Sequence, residues 1–223
     1  MKAFITAFVV YPYLCLTILI CGLILRYIYA QDQWNSRSSQ FLEARFLCVG
    51  AVIFHIGILL SLGGHIIGLV VPPQVLHAAG LSAKAHLELA GVAGMVIAPL
   101  VLLGIIILLL RRLFCAPVRM TTRCTDIIVL LLIGFNASTG LYQAYVAHFD
   151  AFTTIGPWLR DVLTFTPAPG RMVPVPFFLQ LHVISGLTIF ALLPFTRLVH
   201  LFSAPITYVS FPFTLYRRRW GNI

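Results

Sequence analysis

Four histidines lie inside two strongly apolar stretches. His55 and His65 occur in FHIGILLSLGGH, and His182 and His200 in LHVISGLTIFALLPFTRLVH. An ionisable side chain in a membrane-embedded helix costs free energy, so it marks a functional site by default. Neutral imidazole is an axial ligand for haem iron, and two imidazoles on one iron leave no position for oxygen or substrate. Two pairs of histidines therefore suit two bis-histidine haems, whose chemistry is electron transfer. Zinc transport is the competing chemistry. It usually takes carboxylates beside the imidazoles, and neither stretch contains Asp or Glu.

Positioning such groups requires membrane helices. Of the 223 residues, 60% are hydrophobic and 9% charged, against about 25% charged in an ordinary soluble domain. A spanning helix needs about 20 mainly apolar residues. Five stretches qualify, roughly 4–28, 47–71, 88–110, 126–147 and 177–203. The expected fold is an all-α integral membrane protein, one domain over 1–223, with five transmembrane helices in an antiparallel bundle. The first stretch exceeds the apolar core of a signal peptide and is preceded by Lys2 alone, so a retained anchor is expected.

The net charge of +9 does not point to nucleic acid. The basic residues fall in short loops between apolar segments, with no basic helix or aromatic platform for a phosphate backbone. They set orientation instead. One side collects Arg26, Arg37, Arg45, Arg111, Arg112, Arg119, Arg123, Arg197, Arg217, Arg218 and Arg219. The other holds Lys2, Lys84, Arg160 and Arg171. The N-terminus is therefore expected outside, and the tail 204–223 in the cytoplasm of a cell inner membrane. The five cysteines form no CxxC, which argues against iron–sulfur or structural zinc ligation and, with a reducing inner side, against disulfides.

Antiparallel order pairs His65 with His182 near the outer face and His55 with His200 near the inner face. His182 and His200, 18 residues apart, share a helical face, whereas His55 and His65, 10 apart, sit about 80° off a common face. The rises differ too, roughly 15 Å against roughly 27 Å, and a bend at Pro194 is the expected remedy. Gly57, Gly63, Gly64, Gly68 and Gly186 surround the pairs, serving either helix packing or the approach of a flat macrocycle. Arg112 and Arg197 near the inner interface are candidates for haem propionates or for lipid phosphate. His77, His86 and His148 fall in outer connections, where an interfacial role is expected.

The chain resembles the gamma subunit of membrane-bound respiratory nitrate reductase. The resemblance rests on LRYIYAQDQW, SSQFLEARF, FHIGILLSLGGHIIG, RRLFCAPVRMTTRCTDIIVLLLI and LHVISGLTIFALLPFTRLVHLFSAP. It implies a di-haem cytochrome b, with two haem b groups on His55, His65, His182 and His200. It also implies that quinol is oxidised beside the outer haem. Electrons then pass inward to an iron–sulfur beta subunit and a molybdenum alpha subunit that reduces nitrate. Family quinol sites carry a lysine in the loop after the second span, and Lys84 is the one lysine there. His86 stands beside it, and Gly64 and Gly68 leave room near the outer haem. Inner loops 29–46 and 111–125, with the tail 204–223, are the expected docking surface for the beta subunit. The alternative within electron transfer is a cytochrome b of a formate dehydrogenase, hydrogenase or sulfite-reduction-type complex. The alternative from another class is a metal transporter or a structural helical membrane protein.

Overall fold

A computed structural model of the chain describes residues 2–30, 34, 38–147 and 149–203. The tail 204–223, part of the 29–46 loop and His148 lie outside the described residues. Among the described residues, five helices are long and apolar enough to cross a membrane: span one Lys2–Tyr29, span two Arg45–Val70, span three Ala83–Phe114, span four Cys124–Val146 and span five Phe177–Phe195. Only 17–28% of each span's most apolar window is buried inside the chain. Most apolar surface therefore faces outward, the inverse of a soluble bundle. No strand occurs among the described residues, and the five cysteines are free thiols.

Span two packs on three, three on four, four on five, and five on one. Glycine sets the closest of these contacts. A Cβ at Gly104 would stand 2.7 Å from the Phe54 backbone, and one at Gly57 would stand 2.8 Å from Val101. Small residues that let backbones approach are what hold helices together in lipid, where no hydrophobic force separates helix from solvent. Gly57 is thus a packing residue. Gly63 and Gly64 differ from it: a Cβ on either meets nothing within 4 Å.

Span three starts earlier than its apolar run indicates, because Ser82 caps it by accepting a hydrogen bond from the Ala85 N–H. It also contains Pro99, which has no N–H to offer the carbonyl four residues back. Tyr145 of span four donates its hydroxyl to that carbonyl, on Met95, at 3.2 Å.

Span five departs most from the expected 177–203 helix. Its α-helix runs Phe177–Leu192, tightens to a 3-10 turn over Leu193–Phe195, and stops at an extended Thr196. A separate 3-10 helix, Arg197–Ser203, follows. Pro194 is the cause, since it removes a helical donor and crowds the preceding turn. Arg26 of span one donates to the carbonyls of Pro194 and Thr196, placing positive charge at a helix C-terminus, where the macrodipole favours it. The bend expected at Pro194 is a full break.

At the end of the bundle that carries His65, an amphipathic helix Ile155–Leu163 lies over the spans. Trp158, buried, donates its indole N–H to the Phe8 carbonyl at 3.1 Å. Arg160 donates to the Leu69 carbonyl at 2.7 Å. Both acceptors lie in π-helical segments, Thr6–Val10 and Ile66–Val70. The proline-rich region 148–176 is thereby tied to the span that carries His65.

Candidate functional site

The four apolar-span histidines form two pairs, in the combinations that antiparallel order demands. The rings of His65 and His182 lie 5.8 Å apart, centroid to centroid, with planes 16° from parallel. The rings of His55 and His200 are also 5.8 Å apart, with planes at 60°. The break at Pro194 makes the second pairing possible. His200 does not follow the phase or rise of span five, so the mismatch with span two disappears.

Each ring is held through Nδ1. His55 donates to the Ala51 carbonyl at 2.7 Å and His65 to the Ser61 carbonyl at 2.7 Å. His200 donates to the Arg197 carbonyl at 2.5 Å. His182 reaches across to span four, where the Asn136 carbonyl and the Thr139 hydroxyl each lie 3.0 Å away. A proton fixed on Nδ1 leaves Nε2 as the lone-pair nitrogen, the tautomer a metal-binding imidazole needs. Asn136 also donates to the His182 carbonyl and to Ser185, both at 2.9 Å.

The spacing fits an iron between each pair. With metal–imidazole bonds of about 2 Å on either side, ring centres lie about 6 Å apart. No cluster of three or more His, Cys, Asp or Glu suited to a bare ion occurs among the described residues. A donor set of two imidazoles instead suits a metal whose remaining positions a macrocycle fills. The open space at Gly63 and Gly64, beside His65, accords with a flat group there.

Arg112 and Arg197 converge on one carboxylate. Arg197 makes a two-pronged contact with Asp126, Nε to Oδ1 at 2.7 Å and Nη2 to Oδ2 at 2.6 Å. Arg112 adds Nη1 to Oδ2 at 3.3 Å. Among the described residues, two cations share this one carboxylate, next to the Arg197–Ser203 turn that carries His200. Asp126 is not among the residues expected from the sequence. Its signal was present: an acidic residue in the first turn of an apolar span demands a partner.

Near His65, the structure separates the remaining candidates. Lys84 is exposed and sits 3.9 Å from Glu88. His86 is 6% exposed. Its ring packs on Phe152 with centroids 4.3 Å apart, its Nε2 lies 3.4 Å from where a Gly68 Cβ would be, and its Nδ1 is buried with no hydrogen-bond partner among the described residues. His86 and Gly68 are therefore brought together, Gly64 is open, and Lys84 points away. His77 is exposed on the short helix Pro73–Ala78.

On the opposite end, Arg111 anchors the chain before span two. It binds Glu43 at 2.6 Å and Ser39 at 2.9 Å, with its own side chain 1% exposed. Desolvation pushes the Glu43 carboxyl up. Hydrogen bonds from Arg111 and from the Phe46 and Leu47 N–H groups outweigh it and hold the carboxyl below its ordinary value.

Five apolar spans and two imidazole pairs, each joining span two to the segment at or just beyond span five, define a helical membrane protein built to present stacked histidine sites. The chain belongs to the nitrate reductase gamma subunit family, which matches over residues 5–219. It is 38% identical to the nitrate reductase gamma chain of Bacillus subtilis (strain 168) over 212 residues, 93% of this chain and 95% of that one. It is 34% identical to the respiratory nitrate reductase 1 gamma chain of Escherichia coli (strain K12) over 217 residues, 95% of this chain and 96% of that one. The nitrate reductase-like protein NarX of Mycobacterium tuberculosis (strain ATCC 25618 / H37Rv) is 39% identical over 216 residues, 94% of this chain but 33% of that longer protein. The family resemblance carried by the motifs is thus the family to which the chain belongs.

Proposed function

We propose that this chain is the di-haem cytochrome b anchor of a respiratory nitrate reductase, taking electrons from quinol at the His65 end and delivering them to catalytic subunits at the His55 end. The paired imidazoles carry this reading, each pair spaced for one metal and each ring fixed through Nδ1. His65 and His182 hold one haem b, and His55 and His200 the other. Bound there, the haems supply reversible one-electron transfer between the two ends of the bundle. The protein's part is to set ligand orientation, exclude water and shape the quinol pocket. The guanidinium groups of Arg112 and Arg197, both gathered at Asp126, suit haem propionates at the His55 end.

The quinol headgroup is assigned to the neighbourhood of His86, which packs on Phe152 and beside Gly68, with Gly64 uncovered one residue from His65. A quinol headgroup must hydrogen-bond and release protons as it is oxidised. The His86 imidazole, buried with an unpartnered Nδ1, supplies both an acceptor and a base. Lys84 lies at the rim. By the distribution of Lys and Arg, this end faces outward and the His55 end faces the cytoplasm. Protons from quinol then leave outside while electrons move inward, separating charge without a pump.

The cytoplasmic partners are an iron–sulfur beta subunit and a molybdenum alpha subunit. They dock on the loops joining spans one to two and three to four, together with the tail 204–223. The decisive experiment is a dithionite-reduced minus oxidised spectrum of the purified complex, with a haem count per gamma chain. Low-spin b-type bands and two haems are expected; a colourless chain from haem-replete cells overturns the reading.

A further inference from the structure

We infer that Asp126, which lies on a span with no ligand of its own, is a positioning residue for the His55/His200 site: it grips Arg197, and through the Arg197 carbonyl it sets the plane of the His200 imidazole. The inference rests on the haem reading above.

The break at Pro194 places the two ligands of this segment on different helices. His182 stands in an unbroken α-helix, and its ring is held by span four. His200 stands on the Arg197–Ser203 turn, separated from that helix by an extended Thr196. The orientation of this turn is therefore set not by helical continuity but by side-chain contacts: the Thr196 hydroxyl, which donates to the Leu192 carbonyl at 3.0 Å and accepts from the Leu198 N–H at 3.3 Å, and the side chain of Arg197. The His200 ring takes its direction from the Arg197 carbonyl, 2.5 Å from Nδ1. A turn of the Arg197 peptide would move this acceptor.

The Arg197 side chain is clamped in a way that defines a plane. Both oxygens of Asp126 accept from its guanidinium, at 2.7 and 2.6 Å. A two-pronged Arg–carboxylate contact fixes geometry as well as distance, which a single ammonium contact does not. Asp126 is itself immobilised. Its Oδ2 also accepts from the Arg123 N–H at 3.2 Å and from Arg112 at 3.3 Å, and its side chain is 5% exposed. The chain of contacts thus runs from the start of span four, through one carboxylate and one guanidinium, to the ligand.

The two sites differ in the quantity such a clamp would control. Ring planes are 16° apart in one pair and 60° apart in the other. In a low-spin haem with two imidazole ligands, the low-field g value rises as the ligand planes turn from parallel toward perpendicular. Electron paramagnetic resonance therefore reads the angle directly, and a carboxylate that merely holds the fold together leaves it unchanged.

The test uses oxidised membranes containing the full complex. The two low-field lines are assigned by which one disappears in His200→Ala and in His182→Ala. Asp126→Asn is expected to keep two haems per chain and to shift the His200 line alone. Asp126→Glu, which restores a carboxylate, should bring the line back toward its original position. Arg197→Lys keeps the charge but lacks the fork, and should shift the same line. An unshifted His200 line in variants that retain two haems overturns the inference, as does an equal shift of both lines. If Asp126→Asn does not accumulate in membranes, Asp126→Ser decides by the same criteria. Absence of any low-spin signal from the unaltered complex would count against the haem reading itself.

Discussion

His65 and His182 stand 117 residues apart in the chain, yet their rings face each other 16° from parallel at 5.8 Å. Removing either one should therefore destroy the same centre. His65→Ala and His182→Ala are each expected to lower the haem count from two to one and to leave identical residual spectra. His55→Ala and His200→Ala should share a different residual spectrum. Redox titration of the four variants checks this, and loss of different haems in the His65 and His182 variants would refute the pairing.

The contrast between Lys84 and His86 gives a second expectation. Two residues along a helix are turned about 200° from each other, so one faces out as the other faces in. His86→Ala should slow reduction of the haems by quinol about a hundredfold, the low end of what a positioned acid–base group contributes. Lys84→Ala should change it by less than about twofold, as befits an exposed ion pair. Reduction by dithionite should be normal in both. Stopped-flow absorbance measures all three, and normal quinol kinetics in His86→Ala would move the pocket elsewhere.

The clamp between Glu43 and Arg111 predicts a pH dependence. The Glu43 carboxyl titrates below its ordinary value in the folded chain. Its stabilising contribution is therefore fully present above the ordinary carboxylate range and is lost as pH falls through the lowered value. In detergent, the unaltered chain should melt above Glu43→Gln at neutral pH, and the difference should shrink on acidification. A difference that grows as pH falls would contradict the assignment.

Orientation is tested separately. A reporter fused after Arg219 should be active on the cytoplasmic side, and one inserted at Gly80 on the outer side. The asymmetry of Lys and Arg between the two sets of loops motivates this. A reversed pattern would exchange the proposed quinol and catalytic-subunit ends.

The four histidines and their pairing were readable in the sequence, because an imidazole in an apolar span stands out and antiparallel order leaves one sensible match. The five spans were readable for the same compositional reason. What escaped depends on contacts between distant positions or on exact helix starts. Arg197 finds Asp126 71 residues away, and no local pattern announces it. Lys84 and His86 read as loop residues because the apolar run begins later, whereas the Ser82 cap carries the helix back over both. Pro194 announced a bend, but not that the chain would stop and restart as a different helix.

That restart has a mechanical consequence. A single rigid rod bearing His182 and His200 would transmit any tilt at one end to the other, like a seesaw. The extended Thr196 ends that rod, and its hydroxyl clips the next turn to the Leu192 carbonyl and the Leu198 N–H. Arg26 of span one and Asp126 of span four hold the same stretch from outside. The lie of the His200 turn is thus shared among three spans, whereas His182 rides on one helix braced by span four.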